Sequence, residues 1–140
     1  MSDEAREKSV EEDKPTIIVV DDISTSRSVI VAALRPFGFN IVECKDGLEA
    51  WDAIESEEHG KVMATISDII MPNMDGLVLL KKIRESEKFR KLPFILVTGH
   101  PNKDYVVEAK NLKVDGFVTK PFSSEKLLVK LKPFFPNKSF

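Results

Sequence analysis

The sequence predicts a single α/β domain built on a doubly wound, five-stranded parallel sheet with five helices. Five short apolar runs alternate along the chain with segments whose apolar residues recur at helical spacing. The first run, residues 17–20, is continuous and β-branched, as expected of a strand that helices cover on both faces. Four of the five runs end in a polar side chain, and in a parallel sheet all of these ends meet at one edge.

Each predicted strand is an apolar run that stops at a turn residue or at a polar group. The first begins at Thr16 and stops at Asp21-Asp22, and the third stops at Asp68. The predicted strands are residues 16–20, 41–44, 62–67, 94–97 and 116–119.

Each predicted helix carries an apolar stripe between capping or turn residues. Ser24 is expected to cap the first helix, and Pro36 with Gly38 to end it. Asp75, next to Gly76, is interpreted as a turn or cap residue rather than as a ligand. The stripes are Ile30, Ala33, Leu34 and Phe37; Ala50, Trp51 and Ile54; Leu77, Leu80 and Ile83; Val106 and Ala109 within residues 103–112; and Leu127, Leu128 and Leu131 within 124–132.

Composition excludes several classes of protein. The 140 residues are 42% hydrophobic and 31% charged, which is typical of a globular domain. No apolar run is long enough to span a membrane, and the N-terminus has no signal-peptide character. We therefore expect no membrane insertion, and we expect the protein to be located in the cytoplasm. The single cysteine, Cys44, excludes an internal disulfide and a cysteine-based zinc site. Eight lysines against four acids over residues 101–140 are too modest an excess for nucleic-acid binding.

The ends of the chain are expected to differ from the domain between them. Residues 1–14 hold six acids and three bases without periodicity, which predicts a disordered acidic tail. We expect the domain to span residues 15–135 and a short C-terminal tail to span 136–140. The C-terminal rings of Phe134, Phe135 and Phe140 leave two alternatives open. They fold back on the last helix, or they form an exposed apolar patch for a partner.

The polar strand ends are Asp21-Asp22, Asp68, Thr98 and Lys120. Three carboxylates crowded at one edge repel one another, and a divalent cation such as Mg²⁺ would relieve that repulsion. A nearby lysine can hold a phosphoryl oxygen, and a hydroxyl can donate a hydrogen bond to one. A carboxylate nucleophile, a metal, a lysine and a hydroxyl together indicate phosphoryl transfer onto an aspartate.

These residues stand within longer motifs: Val19-Val20-Asp21-Asp22, Ser67-Asp68, Met71-Pro72-Asn73-Met74-Asp75-Gly76, Val97-Thr98-Gly99 and Lys120-Pro121-Phe122. In this ordered set the chain resembles the receiver domains of two-component response regulators, and in particular stand-alone chemotaxis regulators of the CheY type. The resemblance runs from about Lys14 to Lys132. It implies a flavodoxin-like sheet with strand order 2-1-3-4-5, and it favours a cis peptide bond between Lys120 and Pro121.

The resemblance also implies roles for individual residues. Asp68 would be the phosphoacceptor, with Lys120 bridging to the phosphoryl group and Thr98 bonding it after transfer. Mg²⁺ would be bound by Asp22 and Asp68 directly, by Asp21 through water, and by the backbone carbonyl of Ile70. Thr98 and Phe117 would form a switch, although Phe117 lacks the hydroxyl of the tyrosine that is common there. Ile70 and His100 follow Asp68 and Thr98 by two residues and would form the rim of the site.

The leading functional hypothesis is a single-domain response regulator that a histidine kinase phosphorylates on Asp68 and that acts through contact with a target protein. It would not be an enzyme beyond its own phosphoryl transfer and autodephosphorylation. It would be a monomer or a phosphorylation-dependent dimer. One alternative is a phosphate relay or sink that exchanges phosphate with a histidine phosphotransfer protein. Another is a pseudo-receiver, which binds partners without being phosphorylated, and the intact acidic set argues against it.

Overall fold

The computed structural model describes residues 14–58 and 60–140. The predicted tail of residues 1–14 lies outside the described residues except for Lys14. The five strands are β1 (Thr16–Val20), β2 (Asn40–Cys44), β3 (Val62–Ser67), β4 (Phe94–Thr98) and β5 (Gly116–Thr119). They form one parallel sheet in the order β2-β1-β3-β4-β5, which confirms the predicted fold class and strand order.

Five α-helices connect the strands: α1 (Ser24–Leu34), α2 (Gly47–Ser56), α3 (Gly76–Glu85), α4 (Lys103–Asn111) and α5 (Ser124–Leu131). Short 3₁₀ turns at Arg35–Phe37 and Lys132–Phe134 follow α1 and α5. Two apolar clusters fill the two sides of the sheet, with α2, α3 and α4 on one side and α1 and α5 on the other. Among the described residues, no helix combines the length and the apolar character that a bilayer crossing requires.

The helices are anchored unequally. Five of the ten residues of α3 are buried, whereas Ala109 is the single buried residue of α4. Val106 was expected to point inward, but it is half-buried, and Tyr105 packs against the core instead. Helix α4 is therefore held to the sheet by less apolar burial than its neighbours.

The start of α1 differs from the prediction. Ser24 is the first helical residue rather than the cap, and Ile23 precedes it in an extended conformation without a side-chain cap. The Asp21 carboxylate accepts a hydrogen bond from the Ile23 N–H at 3.0 Å. An acid of the strand end therefore binds the N–H of the cap residue, and this ties the start of the helix to the site. The other assigned cap is confirmed, because Asp75 Oδ1 accepts from the Val78 N–H at the start of α3.

The C-terminal rings fold back onto the domain. Phe135 is buried, and its ring meets that of Phe39 edge to face at a centroid distance of 5.0 Å. Phe140 packs 5.0 Å from Phe37 and 6.1 Å from Phe39. The ammonium of Lys138 donates to the carbonyl of Phe37 at 2.7 Å. Of the two alternatives, the structure supports folding back rather than an exposed patch, but the rings that Phe135 and Phe140 meet are those of Phe39 and Phe37, near α1 and β2, and not residues of the last helix.

Candidate functional site

The carboxyl edge of the sheet brings the polar strand ends together. Asp21 and Asp68 extend the ladders of β1 and β3 by one residue, because the Asp68 N–H donates to Val20 O at 2.9 Å and the Asp21 N–H to Cys44 O at 3.1 Å. Main-chain hydrogen bonds of the sheet therefore fix both acids before any side-chain interaction.

Three carboxylates form the centre of the site. Asp21, Asp22 and Asp68 each offer an oxygen, and these oxygens lie within 4.8 Å of one another. Asp21 and Asp68 are buried, whereas Asp22 is exposed and gives the cluster a side open to solvent. Three hard oxygen donors at this spacing fit a divalent cation such as Mg²⁺.

Lys120 supplies the positive charge of the cluster. Its Nζ lies 2.9 Å from Asp21 Oδ2 and 2.9 Å from Asp68 Oδ2. Burial would lower the pKa of the Lys120 ammonium, but the hydrogen bonds and charges of Asp21 and Asp68 outweigh burial and raise it above its ordinary value. The lysine is therefore held as a cation. Three negative charges against one positive charge leave the cluster with a net charge of −2.

Two further residues join the site, Ser26 and Arg27, to which the sequence analysis assigned no role. Ser26 Oγ donates to Asp21 Oδ2 at 2.7 Å and accepts from Lys120 Nζ at 2.6 Å. Arg27 donates from Nη1 to the backbone carbonyl of Asp21 at 2.6 Å and pairs through Nε with Glu43 at 2.8 Å. Both follow Asp21 within six residues in a polar stretch. The signal in the sequence was that the start of α1 must lie close to the end of β1, which it follows.

The loop after Asp68 is held at both of its ends. Gly76 begins α3 and donates its N–H to Ile69 O at 2.8 Å. A Cβ at Gly76 would overlap the backbone carbonyl of Asp68, so this close approach requires glycine. The helix start therefore packs directly against the backbone of Asp68.

The N-terminus of α2 holds the middle of the same loop. Asp46 accepts from the Glu49 N–H at 2.9 Å as the helix cap, and from Asn73 Nδ2 at 2.7 Å. The Gly47 N–H donates to Met74 O at 2.9 Å. The hydrogen bond from Glu49, and then that from Asn73, lower the pKa of Asp46 despite its burial, so the clasp is built on a carboxylate.

The remaining predicted residues surround this centre. Thr98 ends β4 fully buried, and its hydroxyl oxygen accepts from the His100 N–H at 3.0 Å. The side chain of Ile70 is 47% exposed, and His100 is exposed as well. Phe117 on β5 is half-buried against the apolar cluster that contains α4. The Lys120–Pro121 peptide bond is cis, which confirms that expectation.

Comparisons with known proteins agree with this arrangement. The response regulator receiver domain family matches residues 17–132. Chemotaxis protein CheY1 of Helicobacter pylori is 36% identical over 117 residues, which cover 83% of this chain and 93% of that protein. A chemotaxis protein CheY homolog of Campylobacter jejuni is 38% identical over 117 residues, covering 83% and 88%.

Solved structures show the same similarity. Chemotaxis response regulator CheY4 of Vibrio cholerae superposes with a TM-score of 0.74 at 26% identity, over 86% of this chain and 98% of that one. A CheY-like receiver domain protein from Methanospirillum hungatei superposes with a TM-score of 0.75 at 26% identity, over 86% and 92%.

Proposed function

Because the chain belongs to the response regulator receiver domain family, we propose that it works as a response regulator of two-component signalling with Asp68 as its phosphoacceptor. One observation carries the proposal. The Lys120 ammonium lies 2.9 Å from the Asp68 carboxylate, in the same pocket as Asp21 and Asp22. A nucleophilic carboxylate, a cation for the phosphoryl oxygens and an excess of negative charge thus share one site.

The donor set supports Mg²⁺ as the cofactor. Asp22 and Asp68 would hold the ion directly, Asp21 through water, and the carbonyl of Ile70 would complete the protein ligands. The net charge of −2 on the carboxylates and Lys120 is what a divalent cation would neutralise. Bound there, Mg²⁺ would neutralise the oxygens of the phosphoryl group during transfer.

In the proposed reaction, one oxygen of the Asp68 carboxylate attacks the phosphorus of a phosphohistidine on the kinase. An oxygen–phosphorus bond forms, the nitrogen–phosphorus bond breaks, and the freed imidazole nitrogen takes up a proton. Lys120, already an ammonium beside Asp68, would follow the new phosphoryl oxygen. Autodephosphorylation would be attack of water on phosphorus, returning the carboxylate and releasing inorganic phosphate. CheY-like receiver domains are generally not enzymes in the usual sense, and these two steps are the only reactions that we propose.

We propose that Thr98 and Phe117 transmit the phosphorylated state. The Thr98 hydroxyl would turn toward the phosphoryl oxygen, which requires giving up or lengthening its bond from the His100 N–H. Phe117 is on the neighbouring strand, where it pairs with Leu96, and would move into the space that Thr98 vacates. Helix α4 buries only Ala109, with Tyr105 half-buried against the core, so a shift of this helix would cost less free energy than a shift of α3.

The output surface would be α4, β5 and α5, across residues 102–132. A cavity of about 470 Å³ opens there, between Phe117 and the exposed side of α5. Val107 is 48% exposed and Val129 62% exposed. Lys126 and Lys130 line the cavity beside Val129. Apolar side chains framed by lysines suit an acidic, amphipathic segment of a target protein.

Incubation with Mg²⁺ and acetyl phosphate tests the site. We expect the protein to gain one phosphoryl group by mass spectrometry, Asp68→Asn to gain none, and Asp52→Asn, at an exposed aspartate of α2, to behave as wild type. Failure of the wild type to form an acyl phosphate would overturn the proposal and favour the pseudo-receiver. Rapid passage of phosphate to a histidine phosphotransfer protein would instead favour the relay.

NMR with beryllofluoride, which mimics the phosphoryl group, tests the output surface. We expect shifts across residues 103–113 and at Phe117 in addition to those at the site. Shifts confined to the loops around Asp22, Asp68 and Lys120 would contradict the proposed coupling. The proposed partners are a histidine kinase and a target or phosphotransfer protein, and the proposed location is the cytoplasm. The names of the relatives make chemotaxis the first pathway to test.

A further inference from the structure

The Lys120 ammonium makes three hydrogen bonds, and only two of them are to carboxylates. Nζ lies 2.9 Å from Asp21 Oδ2, 2.9 Å from Asp68 Oδ2 and 2.6 Å from Ser26 Oγ. An ammonium has three donors, so this set uses all of them. The shortest of the three bonds is to the neutral oxygen of Ser26.

Ser26 differs from the two acids in what it would do when a cation arrives. A divalent cation and the lysine would compete for the oxygens of Asp21 and Asp68, because both are positively charged. Carboxylates are the ligands that Mg²⁺ prefers, so the lysine is the partner that must yield there. The Ser26 hydroxyl carries no charge for the cation to take, and it can keep its bond to Lys120 in both states.

The position of Ser26 is set by the fold rather than by a flexible contact. It lies in the first turn of α1, and its own O–H donates to Asp21 Oδ2 at 2.7 Å, which orients the oxygen lone pairs toward Lys120. A cavity of about 330 Å³, lined by Val29, Pro121 and Phe122, opens beside Ser26 and Lys120. Without the hydroxyl, water from this cavity would take its place on the ammonium.

We propose that Ser26 is a positioning residue that holds the Lys120 ammonium beside Asp68, so that the lysine stays at the site when a divalent cation binds to the carboxylates. The inference extends the proposed function, since it concerns the lysine that would bind the phosphoryl group. It assigns Ser26 no contact with the reacting atoms.

The chain offers matched variants for the test. Ser26→Ala removes the hydroxyl, and Ser26→Thr keeps it. Ser28→Ala is the control, because Ser28 is exposed on the same helix and its hydroxyl donates to the Ser24 carbonyl, within the helix. All three should fold, and circular dichroism and thermal unfolding check this before the site is probed.

The first measurement uses the protein without metal or phosphate. Hydrogen exchange of the Lys120 ammonium with water, followed by ¹⁵N NMR, reports directly on how it is held. We expect exchange to quicken about tenfold in Ser26→Ala, as for the loss of one bond to a charged group, and to stay near the wild-type rate in Ser26→Thr and Ser28→Ala. Unchanged exchange in Ser26→Ala, or equal quickening in Ser28→Ala, would overturn the inference.

The second measurement is the rate of phosphorylation by acetyl phosphate at saturating Mg²⁺, together with the Mg²⁺ affinity. We expect Ser26→Ala to react about tenfold more slowly with Mg²⁺ affinity unchanged within about twofold, and Ser26→Thr to recover the rate. Equal rates for Ser26→Ala and wild type would refute the role of Ser26 while leaving the proposed function standing. If wild type itself accepts no phosphate, the proposed function fails, and the ammonium exchange alone decides whether Ser26 holds Lys120.

Discussion

The close approach of Gly76 to the backbone of Asp68 gives the sharpest test of how the fold builds the site. In Gly76→Ala the new Cβ would overlap the Asp68 carbonyl oxygen and stand 3.0 Å from its carbonyl carbon and 3.1 Å from Ile69 Cα. All three neighbours are backbone atoms, so no side chain can turn away. Either the start of α3 or Asp68, the proposed phosphoacceptor, must move.

The expected loss of stability is the balance of four contributions. Forcing the backbone apart costs about 2 kcal/mol. If α3 shifts, two hydrogen bonds are weakened: that from the Gly76 N–H to Ile69 O and that of the Asp75 cap. The loss of each would cost about 1 kcal/mol of stability. Alanine in place of glycine returns about 1 kcal/mol of helix propensity. The net destabilisation is about 3 kcal/mol, which lowers the melting temperature by roughly 10 °C for a domain of this size.

Urea denaturation measures this change, and Gly99→Ala is the matched control. Gly99 lies at the same edge of the sheet, yet a Cβ there meets no atom within 4 Å. We expect Gly99→Ala to remain within about 0.5 kcal/mol of wild type. Gly76→Ala should also accept phosphate more slowly under conditions where it is folded, because Asp68 is displaced. A Gly76→Ala protein as stable as the control would refute the reasoning.

Four smaller changes follow from other contacts. Thr65→Val should stabilise the protein by about 1 kcal/mol in thermal unfolding, because no group within residues 14–58 and 60–140 makes a hydrogen bond with the buried Thr65 hydroxyl. A loss of stability would mean that the hydroxyl has a partner. Asp46→Asn should lower the free energy of unfolding by about 1 kcal/mol at pH 7 and leave it unchanged well below pH 4. The lowered pKa of Asp46 in the folded state stabilises the protein above the unfolded-state pKa, and this stabilisation is lost as the pH falls through the folded-state pKa. A loss of stability that does not depend on pH would contradict this expectation. Phe140→Ala should destabilise by about 1–2 kcal/mol through its ring contacts with Phe37 and Phe39, and wild-type stability would show that these contacts contribute nothing. Ile70→Asn should hydrolyse its acyl phosphate faster than wild type, since a polar amide can orient water where an apolar side chain excludes it, and equal lifetimes would make Ile70 irrelevant.

The fold could be predicted from the sequence because each strand has a local signal in the pattern of apolar residues. The runs that became β1, β3 and β5 were predicted to the residue, since a mainly apolar run that stops at a turn residue or at a polar group leaves few alternatives. The start of α1 was wrong in its capping residue. Ser24 has the right chemistry for a cap, but the helix begins one residue too early for it, with Ile23 at the cap position and the Ile23 N–H bound by Asp21. A pattern of residue types does not show where this boundary falls.

The site divides in the same way. The strand ends placed Asp21, Asp68 and Lys120 at one edge, because a parallel sheet leaves them no other place. Ser26 could not be found by that argument, since its role depends on the rotation of α1 about its axis, and three hydroxyl residues, Ser24, Thr25 and Ser26, stand in succession there. The side that α1 buries through Ile30, Val31 and Leu34 selects among them.

The packing around Asp68 is tighter toward α3 than toward α4. Toward α3 the packing is tight: α3 packs Gly76 against the Asp68 backbone and buries five residues, and Asp46 at the start of α2 holds the intervening loop. Helix α4 lies on the same side of the sheet but buries one residue, Ala109, with Tyr105 half-buried against the core. A displacement at Asp68 would therefore disturb more packing toward α3 than toward α4. Thr98 ends β4, which lies between α3 and α4 in the chain. A displacement of Thr98 would therefore move α4 rather than α3, because fewer apolar contacts must be broken in that direction.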